Sequence, residues 1–214
     1  MTADGAGKVC AIISGGEPAP FTGIERADFV IACDKGLEYA TVAGIRPDLI
    51  IGDFDSYSGA LPENVPVTRL KVEKDDTDTM SAVRYALEQG FAEVVIYCAL
   101  GGRLDHLFAN IQTMAFVVNG GADARIVGKN EDIFAFTGKS ATFPRRDGYS
   151  LSVFALSGRC ENVSISGTKY CLENAVIESS FPIGTSNQWF GDAAEISVGK
   201  GVIMVMCCRI PSSS

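Results

Sequence analysis

At 214 residues, 47% of them hydrophobic, the chain can bury one large core or two smaller ones. A formal net charge of −8 with no run of Lys or Arg excludes a nucleic-acid surface, which needs clustered cations to neutralise phosphates. The longest apolar runs, such as Val202 to Cys208, are too short to span a membrane, and Met1 to Gly7 lacks the cationic and apolar design of a cleaved leader, so the expected setting is the cytoplasm with no membrane partner. The seven cysteines contain no CxxC pair and lie mostly in apolar runs, which indicates neither a zinc site nor a disulfide framework.

Lys8 to Ser14 is an apolar run closed by Gly15-Gly16, the pattern of a buried strand entering a glycine turn. Phe29 to Cys33 repeats it and ends in Asp34-Lys35-Gly36, after which Leu37, Ala40 and Thr41 recur at helical spacing until Gly44. Arg46-Pro47-Asp48 then interrupts the chain before Leu49, Ile50 and Ile51, a third short strand. Gly52 lets the backbone turn so that Asp53 and Asp55 emerge together at the carboxyl end, where open α/β sheets bind ligands. Two carboxylates one residue apart suit a hard divalent cation, although Gly, Asp and Ser also build ordinary surface turns.

Lys74-Asp75-Asp76-Thr77-Asp78 precedes Met80, Val83 and Leu87, spaced as one face of an amphipathic helix. Aspartates at a helix start complement its positive end, so capping and metal binding both stand as readings of this cluster. Ala92 to Leu100 reads as a further strand running into Gly101-Gly102-Arg103-Leu104-Asp105-His106. A long helix follows, with Leu104, Leu107, Phe108, Ile111, Ala115 and Val118 as its apolar face and Asn119-Gly120-Gly121 as its stop. Glycines ahead of a helix free backbone amides to meet an anion, and an arginine there can grip phosphate through two parallel hydrogen bonds. His106 is the sole histidine, and at a helix start it reads as structural.

Alternating strands and helices predict a parallel sheet with right-handed crossovers from residue 8 to about residue 128. From Asp132 onward the helical period is lost. Short β-rich runs separated by glycines take over: Tyr149 to Leu156, Asn162 to Ile165, Ala175 to Ile177, Ala194 to Val198 and Val202 to Cys208. They predict a small antiparallel sandwich or barrel. The boundary falls between Phe136 and Ser140, dividing the chain into 1–137 and 138–214.

Five motifs in order, Cys33-Asp34-Lys35-Gly36, Gly52-Asp53-Phe54-Asp55-Ser56, Lys74-Asp75-Asp76-Thr77-Asp78, Gly101-Gly102-Arg103-Leu104-Asp105-His106 and Gly184-Thr185-Ser186-Asn187, resemble the thiamine pyrophosphokinase family over nearly the full length. The resemblance implies transfer of the diphosphate of ATP to the hydroxyethyl oxygen of thiamine with release of AMP. It also implies an α/β ATP-binding catalytic domain, a thiamine-binding β-sandwich, and a homodimer with sites at the subunit interface. On that resemblance Asp53, Asp55 and Asp78 form a Mg²⁺ site with Asp34 as a further active-site acid. Gly101, Gly102 and Arg103 hold the ATP phosphates, Lys35 borders the nucleotide, and Asp105 orients the arginine loop. Thr185, Ser186 and Asn187, a plain turn on their own composition, face the thiamine pyrimidine. Two departures stand out: Lys35 replaces a glycine common in the family, and the last strand reads Gly201-Val202-Ile203-Met204 where animal members stack a tryptophan on thiamine. Trp189 and Tyr170 are the aromatic candidates left for that role. The rival readings are a diphosphokinase for another hydroxyalkyl heterocycle, such as a pterin, and a thiamine or nucleotide sensor without turnover.

Overall fold

In the computed structural model, which describes residues 7–53, 61–69 and 76–211, the apolar runs of the N-terminal half become neighbouring strands. They are β1 (Val9–Ile13), β2 (Phe29–Cys33), β3 (Leu49–Gly52), β4 (Val67–Arg69), β5 (Glu93–Tyr97) and β6 (Asp123–Val127). Their order is β6-β5-β1-β2-β3-β4, every adjacent pair parallel. Parallel strands are covered on both faces and must be apolar throughout, which is why Cys10 to Ile13, Ile31 to Cys33 and Val94 to Tyr97 are all buried. The chain steps outward from β1 to β4 and then returns to the other side of β1 for β5 and β6. The reversal lies between β1 and β5, the place where such sheets open a ligand crevice.

Among the described residues the α-helices beside this sheet are α1 (Gly36–Val42), α2 (Asp78–Glu88) and α3 (Leu104–Asn119). The buried face of α2 is Thr79, Ala82, Val83 and Ala86, rotated from the expected Met80, Val83 and Leu87. Small side chains let the helix approach the strands closely while the larger ones lie at its flanks. On α3 the buried face is Thr113, Met114, Val117 and Val118, so of the expected stripe only Val118 is buried. Leu104 and Phe108 are 78% and 59% exposed, while Asp105, His106, Ala109 and Asn110 of the same turns line a cavity.

From Asn130 a second compact unit begins. One antiparallel sheet joins β7 (Glu131–Phe136), β9 (Tyr149–Ala155), β12 (Gly184–Asn187) and β14 (Ile203–Arg209) in the order β12-β9-β14-β7; the other joins β8 (Ser140–Pro144), β10 (Arg159–Ser166), β11 (Leu172–Glu178) and β13 (Ala193–Ser197) in the order β11-β10-β13-β8. Inward residues of both sheets share one core, including Phe134, Phe136, Leu151, Val153 and Val205 from the first and Phe143, Val163, Ile165 and Ile196 from the second. This is a β-sandwich. The division lies between Lys129 and Asn130, ahead of the expected 137/138, because β7 pairs antiparallel with β14 along Glu131 to Phe136. None of the seven cysteines forms a disulfide. Among the described residues no helix is long and apolar enough to cross a membrane.

Candidate active site

A cavity of about 860 Å³ opens in the N-terminal unit where the loops after β1, β2, β3 and β5 meet the first turns of α2 and α3. Its wall takes Ser14 to Glu17 from the end of β1, Asp34 and Lys35 from β2, Asp53 from β3, Thr77 to Thr79 from α2, and Gly101 to Arg103, Asp105 and His106 from the approach to α3. Asp34, Asp53 and Asp78, separated in sequence, therefore share one cavity. Asp55 lies outside the described residues, as do Phe54, Ser56, Lys74 and Asp75.

Local backbone geometry explains why these residue types are needed. Asp34 sits at φ 41°, a left-handed conformation that aspartate tolerates better than most side chains. Gly52 faces it, and a Cβ there would overlap the Asp34 carboxylate. Thr77, not an aspartate, caps α2: its side chain accepts from the Met80 amide at 3.1 Å. Asp76 accepts from Arg84 Nε at 2.8 Å, and Arg84 also lies 5.1 Å from the Phe116 ring centroid, which ties this loop to α2 and α3. Asp78 is left to the first turn of α2 at the cavity wall, where the positive helix end favours a carboxylate.

Gly101 and Gly102 turn through φ 76° and 67° into α3. Arg103 meets Asp105 side by side, Nε donating to Oδ1 at 3.1 Å and a terminal nitrogen to Oδ2 at 2.5 Å, while the His106 amide donates to the same Oδ1 at 2.9 Å. The hydrogen bond from Arg103 holds the Asp105 carboxyl below its ordinary range, and Asp105 raises Arg103 in turn. Both are largely exposed, so the pair contributes little to stability; its consequence is the orientation of the guanidinium.

Other cavity residues carry no sequence signal of their own. The buried Ser14 and Thr79 hydroxyls are 2.7 Å apart and join the β1 loop to α2, and Asn110 Nδ2 donates to the Ala99 carbonyl at 2.7 Å. Ser14-Gly15-Gly16 directly after the first strand was the one visible hint of a wall here. Among the described residues no three His, Cys, Asp or Glu side chains form a metal-holding group. The lining includes the carboxylates of Asp34, Asp53 and Asp78, which suit a hard cation such as Mg²⁺; that ion commonly binds one or two carboxylates and completes its shell with water and phosphate oxygens.

The C-terminal unit has a smaller pocket of about 300 Å³ lined by Tyr170, Leu172, Ile183, Thr185 and Asn187 among others. Thr185-Ser186-Asn187 is a strand with a register shift rather than a plain turn, and Ser186 stands at φ 55° with its amide donating to Ser152 Oγ at 2.9 Å. Asn187 is buried and its amide is committed to the backbone: Nδ2 donates to the Tyr170 carbonyl at 2.7 Å, and Oδ1 accepts from the Tyr170 and Gln188 amides at 3.1 and 2.9 Å. Trp189 packs on the sandwich core with Nε1 donating to the Phe143 carbonyl at 2.9 Å. Tyr170 remains 65% exposed on the pocket wall.

The family model for the Thiamin pyrophosphokinase catalytic domain matches residues 22–125, and the one for the Thiamin pyrophosphokinase vitamin B1 binding domain matches residues 141–203. The thiamine pyrophosphokinase of Bacillus subtilis is 28% identical over 182 residues, 82% of this chain and 85% of its own. Its crystal structure superposes with a TM-score of 0.82 at 25% identity, covering 94% of this chain and 99% of that one. A thiamin pyrophosphokinase family protein from Enterococcus faecalis gives 0.78 at 28% identity, with 95% and 100% covered. With both domain models matched in order across most of its length, the chain belongs to the thiamin pyrophosphokinase family.

Proposed function

We propose that this enzyme transfers the diphosphate of ATP to thiamine, giving thiamine diphosphate and AMP, and that it works in the cytoplasm as a homodimer. The observation that carries the reading is the convergence of Asp34, Asp53 and Asp78 with Gly101-Gly102-Arg103 on one cavity at the switch point of a parallel sheet. The N-terminal unit is the nucleotide domain. Arg103, held side by side by Asp105, and the glycine turn take the ATP phosphates, with Lys35 at the cavity mouth. Asp53 and Asp78, with Asp55, would hold Mg²⁺, which supplies charge neutralisation to the phosphoryl oxygens when bound. The thiamine hydroxyl oxygen forms a bond to the β-phosphorus as its proton passes to solvent, the bond from that phosphorus to the oxygen shared with the α-phosphorus breaks, and AMP leaves with the electron pair. Arg103 draws charge from the phosphoryl oxygens, and the cavity residues fix the line of attack, the main requirement in transfers of this kind.

The C-terminal sandwich takes thiamine through the pocket beside β12. Asn187 serves this site indirectly, because its amide is already engaged with Tyr170; Thr185 and Tyr170 line the pocket, and Ser186 is exposed between the two lining residues Thr185 and Asn187. Ser186→Ala should raise the thiamine KM by roughly fivefold, the worth of about 1 kcal/mol for one hydrogen bond, with the ATP KM unchanged. A normal thiamine KM in steady-state rates would show that this side chain makes no contact with thiamine.

The overall reaction is tested by following nucleotide products with ATP and Mg²⁺ in the presence and absence of thiamine. Thiamine-dependent AMP supports it. ADP as product, dependence on a pterin alcohol instead, or thiamine binding without any AMP would each overturn it.

A further inference from the structure

Tyr39, on α1, packs its ring on the core around Ala11, Ile13 and Val95 and reaches two other segments of the cavity wall. Its hydroxyl donates to the Gly16 carbonyl at 2.9 Å, and the Lys35 ammonium stands 5.6 Å from its ring centroid. The loop it grips has little slack: the Gly16 amide donates to the Cys98 carbonyl at 2.7 Å, and a Cβ on Gly16 would come within 2.6 Å of that carbonyl oxygen and 2.9 Å of the Leu100 carbonyl oxygen. One half-buried tyrosine thus couples the loop after β1 to the loop after β2, both of which line the same cavity.

Among the described residues, the Lys and Arg side chains that line this cavity are held differently. Arg103 is paired with a carboxylate, whereas Lys35 rests near an aromatic face, which attracts an ammonium without neutralising it. A phosphate oxyanion is a far stronger partner for an ammonium than a ring face, so the lysine is stationed yet available.

We propose that Tyr39 is a positioning residue for the nucleotide: its hydroxyl fixes the Gly15-Gly16 wall, and its ring stations the Lys35 ammonium to meet the phosphates of a nucleoside triphosphate. This rests on the cavity being the ATP site. The test compares Tyr39→Phe, Tyr39→Leu, Lys35→Met and the double variant Lys35→Met/Tyr39→Leu, by steady-state kinetics and by calorimetric titration with ATP and Mg²⁺. Tyr39→Phe keeps the ring but loses the loop bond and the hydroxyl's own influence on Lys35, so the ATP KM should rise about threefold or somewhat more. Tyr39→Leu loses both, and the rise should be about tenfold, with kcat and the thiamine KM within about twofold of wild type. On the Lys35→Met background the same leucine should add only about the threefold due to the loop, a non-additivity that marks the shared contact. An unchanged ATP KM in the tyrosine variants, strict additivity in the double variant, or a joint fall of kcat, both KM values and melting temperature would overturn the proposal. If the wild type makes no thiamine diphosphate, the functional reading fails separately, and the ATP dissociation constants of the same proteins still decide this one: equal values contradict it.

Discussion

Asp53→Asn and Asp78→Asn are each expected to lower thiamine diphosphate formation by about a hundredfold or more, on the order of 3 kcal/mol of transition-state stabilisation, while the protein stays folded. The amide keeps the shape of each side chain and removes the negative oxygen that a hard cation and its phosphate partners require. Capping does not compete as an explanation at Asp78, because Thr77 holds the Met80 amide and Asp76 is engaged by Arg84. What Asp78→Asn removes from the fold is its favourable placement at the helix start, roughly 0.3–1 kcal/mol, or about 1–4 °C in melting temperature for a chain of this size. Thr77→Ala gives the reverse ranking, losing about 1 kcal/mol of stability with little change in rate. Rates titrated with Mg²⁺ and melting curves on the same samples check both. Near-normal turnover with unchanged Mg²⁺ dependence in the two aspartate variants would remove these carboxylates from the metal site.

Gly52→Ala and Gly36→Ala should fail in different ways. The added methyl at Gly52 overlaps the end of a side chain, the Asp34 carboxylate, which can swing aside. The fold should survive while Asp34 is driven from the cavity wall, and turnover should fall by about tenfold or more, as misplacement of a site group by an ångström or so can cost that and beyond. At Gly36 the methyl meets backbone instead, overlapping the Ile13 carbonyl and approaching the Ser14 carbonyl oxygen to 2.9 Å. Backbone at the end of a central strand cannot yield cheaply, so a loss of about 1–3 kcal/mol is expected, roughly 3–10 °C in melting temperature. Thermal melts and kcat for the two variants give the comparison; a Gly36→Ala protein as stable as wild type would mean that α1 does not press on β1 as described.

How much of this was legible in the sequence follows from what each residue does in the fold. Strands buried on both faces advertise themselves, so β1, β2, β3 and β5 could be read as apolar runs, and the aspartates stood out because they follow such runs directly. Edge and one-sided strands do not: β4 is Val-Thr-Arg with two exposed positions, and β8 alternates exposed and buried so that only Ala141 and Phe143 face the core. Glu131 to Phe136 opens with two half-buried acids, which hid the strand that starts the second unit. The face of α2 was misjudged because small residues, not the large ones, turn inward where a helix lies close to a sheet. The site itself was legible where charge or glycine is required and illegible where ordinary side chains do the joining. Ser14, Thr79, Tyr39 and Asn110 act through single hydrogen bonds that only three-dimensional neighbours reveal. Asn187 was legible as important but not in its role, since its partner is backbone seventeen positions away.

Diphosphoryl transfer is tested most directly by mass analysis of the thiamine product formed from ATP that carries heavy oxygen on its β- and γ-phosphoryl groups. Intact diphosphoryl transfer predicts thiamine diphosphate bearing label in both phosphoryl groups together with AMP whose phosphate carries none beyond the bridging position. Thiamine monophosphate accompanied by labelled ADP, or labelled diphosphate released without joining thiamine, would contradict it.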